Sequence, residues 1–263
     1  MKKQKIKFPI KPVAVILIIF LALFFVMGYI WKILSTSDYF RIKEVVVRGQ
    51  DANIDLSNLR GRNIFALDLN SQARRILQAY PNYSRVRFFR VLPDRVYVDF
   101  IKRKPVAYIK LYKNFTIDST GFLFNAPDDI SAADLPVITG LETRIFGPKP
   151  GKRYNVRELN LALAILREAN SSLAQARYNL KKIDVTNPGD ISIIVQVKPG
   201  VTNNVMGFIN PPSIFEVKLT AENIKDRMRM LSGLIRLAEK DIAHLKYIDL
   251  RFDEPVIKLN NVK

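Results

Sequence analysis

Cysteine is absent from the 263 residues, so the chain has no disulfide framework and no thiolate metal site. Histidine is nearly absent. His244 stands alone with no second ligand at i+3 or i+4, which leaves little room for imidazole chemistry or zinc. No Gly-rich phosphate loop, zinc spacing, internal repeat or low-complexity tract appears. Acids are scarce as well: 24 Asp and Glu face 42 Lys and Arg, for a net charge of +18. Asp128 and Asp129 are adjacent, but their loop-like surroundings read as a solvated turn rather than an acid/base pair. In the cytosol so basic a chain would raise nucleic-acid binding as a reading.

What is present first is a long apolar run. "VAVILIIFLALFFVMGYIW", Val13 to Trp31, holds no charge over nineteen residues. At about 1.5 Å per residue it makes roughly 28 Å of helix, close to the hydrocarbon thickness of a bilayer. Tyr29 and Trp31 stand at its far end, where aromatic rings favour the interface. Lys2, Lys3, Lys5, Lys7 and Lys11 precede it, so the positive-inside rule expects residues 1–12 in the cytoplasm, a span at 13–33, and everything after about residue 35 outside. A cleaved signal peptide is the alternative, with "STS" at Ser35 to Ser37, but the run exceeds the 7–15 residues of a signal core. A buried core helix of this length without charge is rare. Setting those five lysines aside lowers the charge from +18 to +13, on the side away from nucleic acid. Lipid head groups or wall polymers are the anions available there; a merely solvated basic surface is the other reading.

Two exterior domains are expected, 38–105 and 106–263. In the first, Ile42 and Val45 to Val47 form a β-rich run that Gly49 stops. Leu59 to Phe65 reads as a short helix. "LNSQARRILQAYP" reads as a longer one, with Asn70 as N-cap, Ala73, Ile76, Leu77 and Tyr80 on one face, and Pro81 as its end. Arg85 to Leu92 and Arg95 to Ile101 flank Pro93 and Asp94 as a hairpin. In the second domain, "VAYIKLYKNFTID" and "GFLFN" read as strands about an Asp118–Gly121 turn. "NVRELNLALAILREAN" reads as a helix opened by Asn155 and Glu158, with Leu159, Ala162, Leu163 and Leu166 on one face. "LKKIDV" and "DISIIVQV" flank the turn-rich Asn187–Asp190, and "SIFEVKL" is a further strand. Ile224, Met228, Leu231, Ile235, Ala238 and Ile242 recur at helical spacing, and "KYIDLRFDEPVIKL" follows as a strand interrupted by Pro255.

The order strand, helix, helix, strand, strand directly after an anchor resembles a POTRA domain. The run of motifs is similar to the FtsQ/DivIB family of bacterial cell-division proteins: "IKEVVVRG", "NIFALD", "RVLPDRVYVDFIKRKPVAYI", "TIDSTGFLF", "DLPVITG" and the late "YIDLRF", in that order. The resemblance implies an α+β protein: a transmembrane helix, a POTRA-like α/β domain and a β-rich α/β domain. It implies a non-enzymatic scaffold without cofactor, whose C-terminal region holds the bitopic partners FtsB and FtsL at the septum.

Residue reading and resemblance together name candidate sites. In "YIDLRF", Ile248, Leu250 and Phe252 would face inward, while Tyr247, Asp249 and Arg251 lie on the other face of an edge strand. Tyr247, Asp249, Arg251 and Phe252 are the expected partner contacts; an edge protected by its own charges is the alternative. Lys102, Arg103 and Lys104, in "FIKRKP", are a possible second contact with lipid or a partner, or a solvated hairpin edge. The rival function is a membrane-anchored hydrolase of signal-peptidase type, with a serine such as Ser35 or Ser37 beside a neutral lysine. No S-x-M stretch follows those serines.

Overall fold

A computed structural model describes residues 10–48, 54–126, 135–172, 178–197, 214–238 and 242–260. The Asp128–Asp129 turn and the stretch 200–213 lie outside the described residues. The chain divides into two compact units, one built from 1–79 and 83–101, the other from 80–82 and 102–263.

In the first unit, helix α1 runs from Ile10 to Thr36, and its stretch Ala14–Thr36 is long and apolar enough to cross a membrane. A 3-10 turn at Asp38–Phe40 leads to strand β1, Glu44–Arg48. Helix α2, Leu69–Ala79, precedes strands β2, Tyr83–Val91, and β3, Arg95–Lys102. The sheet order is β1-β3-β2, with β1 parallel to β3. Ile42, Ile64, Val86, Val96 and Val98 form its core, against which Ala73, Ile76 and Leu77 of α2 are partly buried. Tyr80, expected on that face, is exposed. Two local readings are corrected. Leu59–Phe65 is not a helix: a 3-10 turn covers Ser57–Leu59, and the following residues pair with the segment after α1. The cap of α2 is Asp68, whose Oδ1 accepts the N–H groups of Asn70 and Ser71 at 3.0 and 3.1 Å.

Among the described residues the second unit is one mixed sheet with two α-helices. Its strands are β4 (Pro105–Lys110), β5 (Asn114–Asp118), β6 (Leu123–Phe124), β7 (Val137–Thr139), β8 (Tyr178–Asp184), β9 (Ile191–Val197), β10 (Ile214–Leu219), β11 (Leu245–Asp249) and β12 (Val256–Leu259). Among the described residues the order is β12-β11-β10-β9-β8-β7-β4-β5-β6. "VAYIKLYKNFTID" is thus a hairpin, β4 and β5, and not one strand; the Leu111 N–H donates to the Lys113 carbonyl at the bend. Helix α3, Arg157–Ser172, joins parallel β7 and β8, and α4, Ile224–Leu237, joins parallel β10 and β11. Their apolar stripes, Leu159, Ala162, Ile165 and Leu166 on α3 and Met228, Leu231 and Ile235 on α4, are buried in the core that the sheet shares.

Register explains how that core is laid out. Residues opposite one another across neighbouring strands share a face. Phe115, Ile109, Ile138, Ile183, Ile193, Val217 and Ile248 stand opposite one another in succession from β5 to β11 and are each 0% exposed. Gly140 ends β7 with φ +88°, and a Cβ there would stand 2.3 Å from the Thr186 nitrogen, so only glycine fits this approach of the two loops.

Candidate partner-binding edge

"KYIDLRFDEPVIKL" is two strands, not one. β11 is interior, between β10 and β12, and β12 is the edge. Asp253, Glu254 and Pro255 lie in the bend between them. By sequence Pro255 suits an edge strand, but two acids followed by proline between two β-rich runs is equally a hairpin signal. Val256, Ile257 and Leu259 of β12 are therefore the edge residues that the sequence reading missed.

The row of buried residues across the sheet continues onto β12. Ile248 faces Ile257, which is 40% exposed, and Leu245, nearly fully buried, faces Leu259, 43% exposed. On the other face Val256 stands opposite Asp249 and Lys258 opposite Tyr247. β12 thus carries the apolar pattern of the core to the last strand and leaves it half covered.

The expected contact residues occupy different settings. Tyr247 is half-buried on the face away from the core, with the ammonium groups of Lys218 and Lys258 each 5.9 Å from its ring. Asp249 is buried. Arg251 donates to its Oδ2 at 2.6 Å and to Asp190 Oδ1 at 3.1 Å. The Arg251 guanidinium and N–H hold the Asp249 carboxyl below its ordinary range against the opposing effect of burial. Asp249 in turn holds the Arg251 guanidinium above its own ordinary range. Arg227 of α4 donates to the carbonyls of Leu250 and Phe252. These two arginines fix the chain where it leaves β11. Phe252, expected to pack inward, is 58% exposed, because the strand ends at Asp249 and the alternation ends with it.

The second candidate cluster separates. Lys102 and Lys104 are exposed. Arg103 is committed within its unit: Nε donates to the Pro81 carbonyl at 3.0 Å, Nη1 to Asp118 Oδ2 at 2.6 Å, and the guanidinium lies 4.1 Å from the Phe122 ring centre. Burial would raise the Asp118 carboxyl, but hydrogen bonds from Thr120, Phe122 and Arg103 outweigh it and the carboxyl lies low. Ser35 Oγ donates to the Lys32 carbonyl and Ser37 Oγ accepts the Tyr39 N–H, so both hydroxyls serve the exit from α1. His244 is exposed, and its carbonyl accepts the Asn260 N–H just beyond β12. Among the described residues no group of His, Asp or Glu could hold a metal ion.

The description "Cell division protein FtsQ/DivIB, C-terminal" matches residues 107–251, from β4 through β11. The chain belongs to the FtsQ/DivIB family of cell-division proteins. It is 25% identical to cell division protein FtsQ of Koribacter versatilis over 258 residues, 92% of this chain and 69% of that protein. It is 25% identical over 238 residues to FtsQ of Geotalea daltonii, 88% of this chain and 80% of that one. A third relative, FtsQ of Syntrophotalea carbinolica, is 28% identical over 141 residues, 51% of this chain and 49% of that one. These relatives are named for cell division, not for a catalysed reaction. The chain is thus a member of a cell-division family that carries one helix, among the described residues, long and apolar enough to cross a membrane.

Proposed function

We propose that the chain is a non-catalytic, single-pass scaffold of the divisome, with residues 1–12 in the cytoplasm and everything after about residue 35 on the exterior side of the inner membrane at the septum. It recruits FtsB- and FtsL-type bitopic partners by accepting a strand on β12. The observation that carries this reading is the half-covered Ile257 and Leu259 at the end of a buried row, on a strand that among the described residues is paired on one side only. An added strand would complete the row and bond the outer main chain of β12. Tyr247 and Phe252 supply aromatic contacts beside the edge, while Asp249 and Arg251 hold β11 in place beneath it.

The test is binding of the full chain, reconstituted in bilayers, to a purified bitopic partner. Ile257→Glu with Leu259→Glu should weaken binding by at least about 2 kcal/mol, some thirtyfold. A folded double variant that binds at full strength would move the interface elsewhere. A periplasmically active reporter fused after residue 263 checks the orientation; an inactive one would reverse it.

A further inference from the structure

The exit of α1 is bonded to later segments of its own unit. Asn63 Nδ2 donates to the Leu34 and Ser37 carbonyls at 2.9 and 3.0 Å, satisfying a carbonyl that the end of α1 leaves without a helical partner. Its Oδ1 accepts the Phe65 N–H at 2.9 Å, which fixes the Asn63–Phe65 loop against the helix. The Phe65 ring lies 6.3 Å from Trp31 and 5.1 Å from Phe40, each edge to face. Trp31 closes the apolar run, at the depth where aromatic rings sit between hydrocarbon and water. Phe65 and Phe40 are therefore held at that same depth, and exposed Tyr39 adjoins them.

Basic residues cluster on these segments. Lys32 follows Trp31 directly and is exposed. The Ile42 N–H donates to the Arg62 carbonyl, and the Ile64 N–H to the Phe40 carbonyl, so 62–64 runs alongside 40–42. Arg60 and Arg62 are exposed, and Arg62 is two residues from Ile64, so at most about 7 Å of chain separates them. The head-group zone on each side of a bilayer is about 5–8 Å deep, so a long side chain at this position reaches it. Of the nearby acids, Asp38 is paired with Arg41 at 2.7 Å, while Asp55 and Asp68 accept backbone N–H groups of Ser57, Asn70 and Ser71; Lys43 pairs with Asp94 at 3.0 Å. The local excess charge falls to Lys32, Arg60 and Arg62.

We propose that Lys32, Arg60 and Arg62, seated at the bilayer surface by the Trp31–Phe65–Asn63 junction, bind anionic phospholipid head groups in the leaflet from which α1 emerges. The lipid is a phosphate-bearing, negatively charged one such as phosphatidylglycerol. It would hold the first unit against the membrane rather than leave it free to swing on α1. This inference rests on α1 spanning the membrane and is independent of which partner β12 accepts.

The test uses the full chain in bilayer discs containing photoreactive phosphatidylglycerol or photoreactive phosphatidylcholine at equal density, with labelled peptides mapped by mass spectrometry. The expected result is preferential phosphatidylglycerol labelling of 32–43 and 60–66. It should fall by about tenfold or more in Lys32→Gln/Arg60→Gln/Arg62→Gln and persist in the charge-keeping Lys32→Arg/Arg60→Lys/Arg62→Lys. Trp31 is the only tryptophan, so its emission reports whether the junction to Phe65 survives in each variant. Equal labelling by the two lipids, or labelling unchanged in the glutamine variant with Trp31 emission intact, would overturn the inference alone. Release of the wild-type chain from membranes by alkaline carbonate would overturn both it and the membrane span.

Discussion

At one end of the large sheet, β6 is two residues long and its outer main chain is already bonded. The Leu123 N–H donates to the Lys152 carbonyl, the Gly151 N–H to the Leu123 carbonyl and the Tyr154 N–H to the Gly121 carbonyl. Both β6 side chains are fully buried. Beside it, Asp118 and Arg103 form an ion pair whose side chains are only 10% and 11% exposed. At the other end, β12 has four exposed residues, three of them apolar, and its anchoring arginine, Arg251, is held partly in solvent. Exposed apolar edges invite unwanted pairing, and folds usually cover or charge them. Among the described residues the sheet covers one edge with its own loop and leaves the other open, with Lys258 as the single charge on β12. An edge left open in a chain that evidently has the means to close one fits a partner's strand.

The sharpest way to break this contrast is to cut the same side chain at both ends. Leu123→Ala should cost about 2–5 kcal/mol, because a fully buried leucine loses its packing and leaves a cavity. Leu259→Ala, starting 43% exposed, should cost under about 1 kcal/mol in the isolated chain. Urea unfolding of the two variants checks the difference; equal losses would mean that β12 is as integral as β6. Next in size is Gly121→Ala. Gly121 has φ +87°, and a Cβ there would meet the Tyr154 carbonyl oxygen at 2.9 Å. The strain of about 1–3 kcal/mol should loosen the 151–154 loop and raise amide exchange at Leu123, while β12 exchange stays as it was.

The smallest effect is electrostatic and falls in the middle of the sheet. Burial would raise the Asp184 carboxyl, but the hydroxyl and N–H of Thr186, the Thr139 hydroxyl and Lys182 outweigh it and hold it at about 2. A carboxyl lowered on folding stabilises above its unfolded value near 4, and that contribution drains away as pH falls toward 2. Asp184→Asn should therefore cost most near pH 7, where the wild-type contribution is fully present, and flatten the acid limb so that the two proteins converge as pH falls toward 2. An unchanged acid limb would show that Asp184 keeps its ordinary affinity for protons.

Much of the fold is written locally. The α3 and α4 stripes repeat at helical spacing, and the turns at 93–94, 118–121 and 187–190 carry Pro, Gly, Asn or Asp. What stayed hidden has physical causes. The bend between β4 and β5 is made by Leu111 to Lys113, residues without turn chemistry, so one strand was read where two occur. The family-like "YIDLRF" puts the expected contacts on and just after β11, and that β12 lies outside β11 is a matter of strand order, a long-range property. Nothing within residues 245–252 reveals that 256–259 folds back over them. Arg251 and Asp249 read as surface charges by alternation, but the partner that fixes Arg251 beyond its neighbour is Asp190, 61 residues away. For the same reason Arg251→Glu is a poor probe of binding: it would set a third acid beside Asp249 and Asp190.

The most direct measurement is amide hydrogen exchange on the full chain in bilayers, with and without a bound FtsB-type partner. Strand addition predicts that amides of Val256 to Leu259 slow markedly on binding, while those of Leu123 and Phe124, protected already, do not change. Protection that appears elsewhere while β12 exchanges at its free rate would contradict the account.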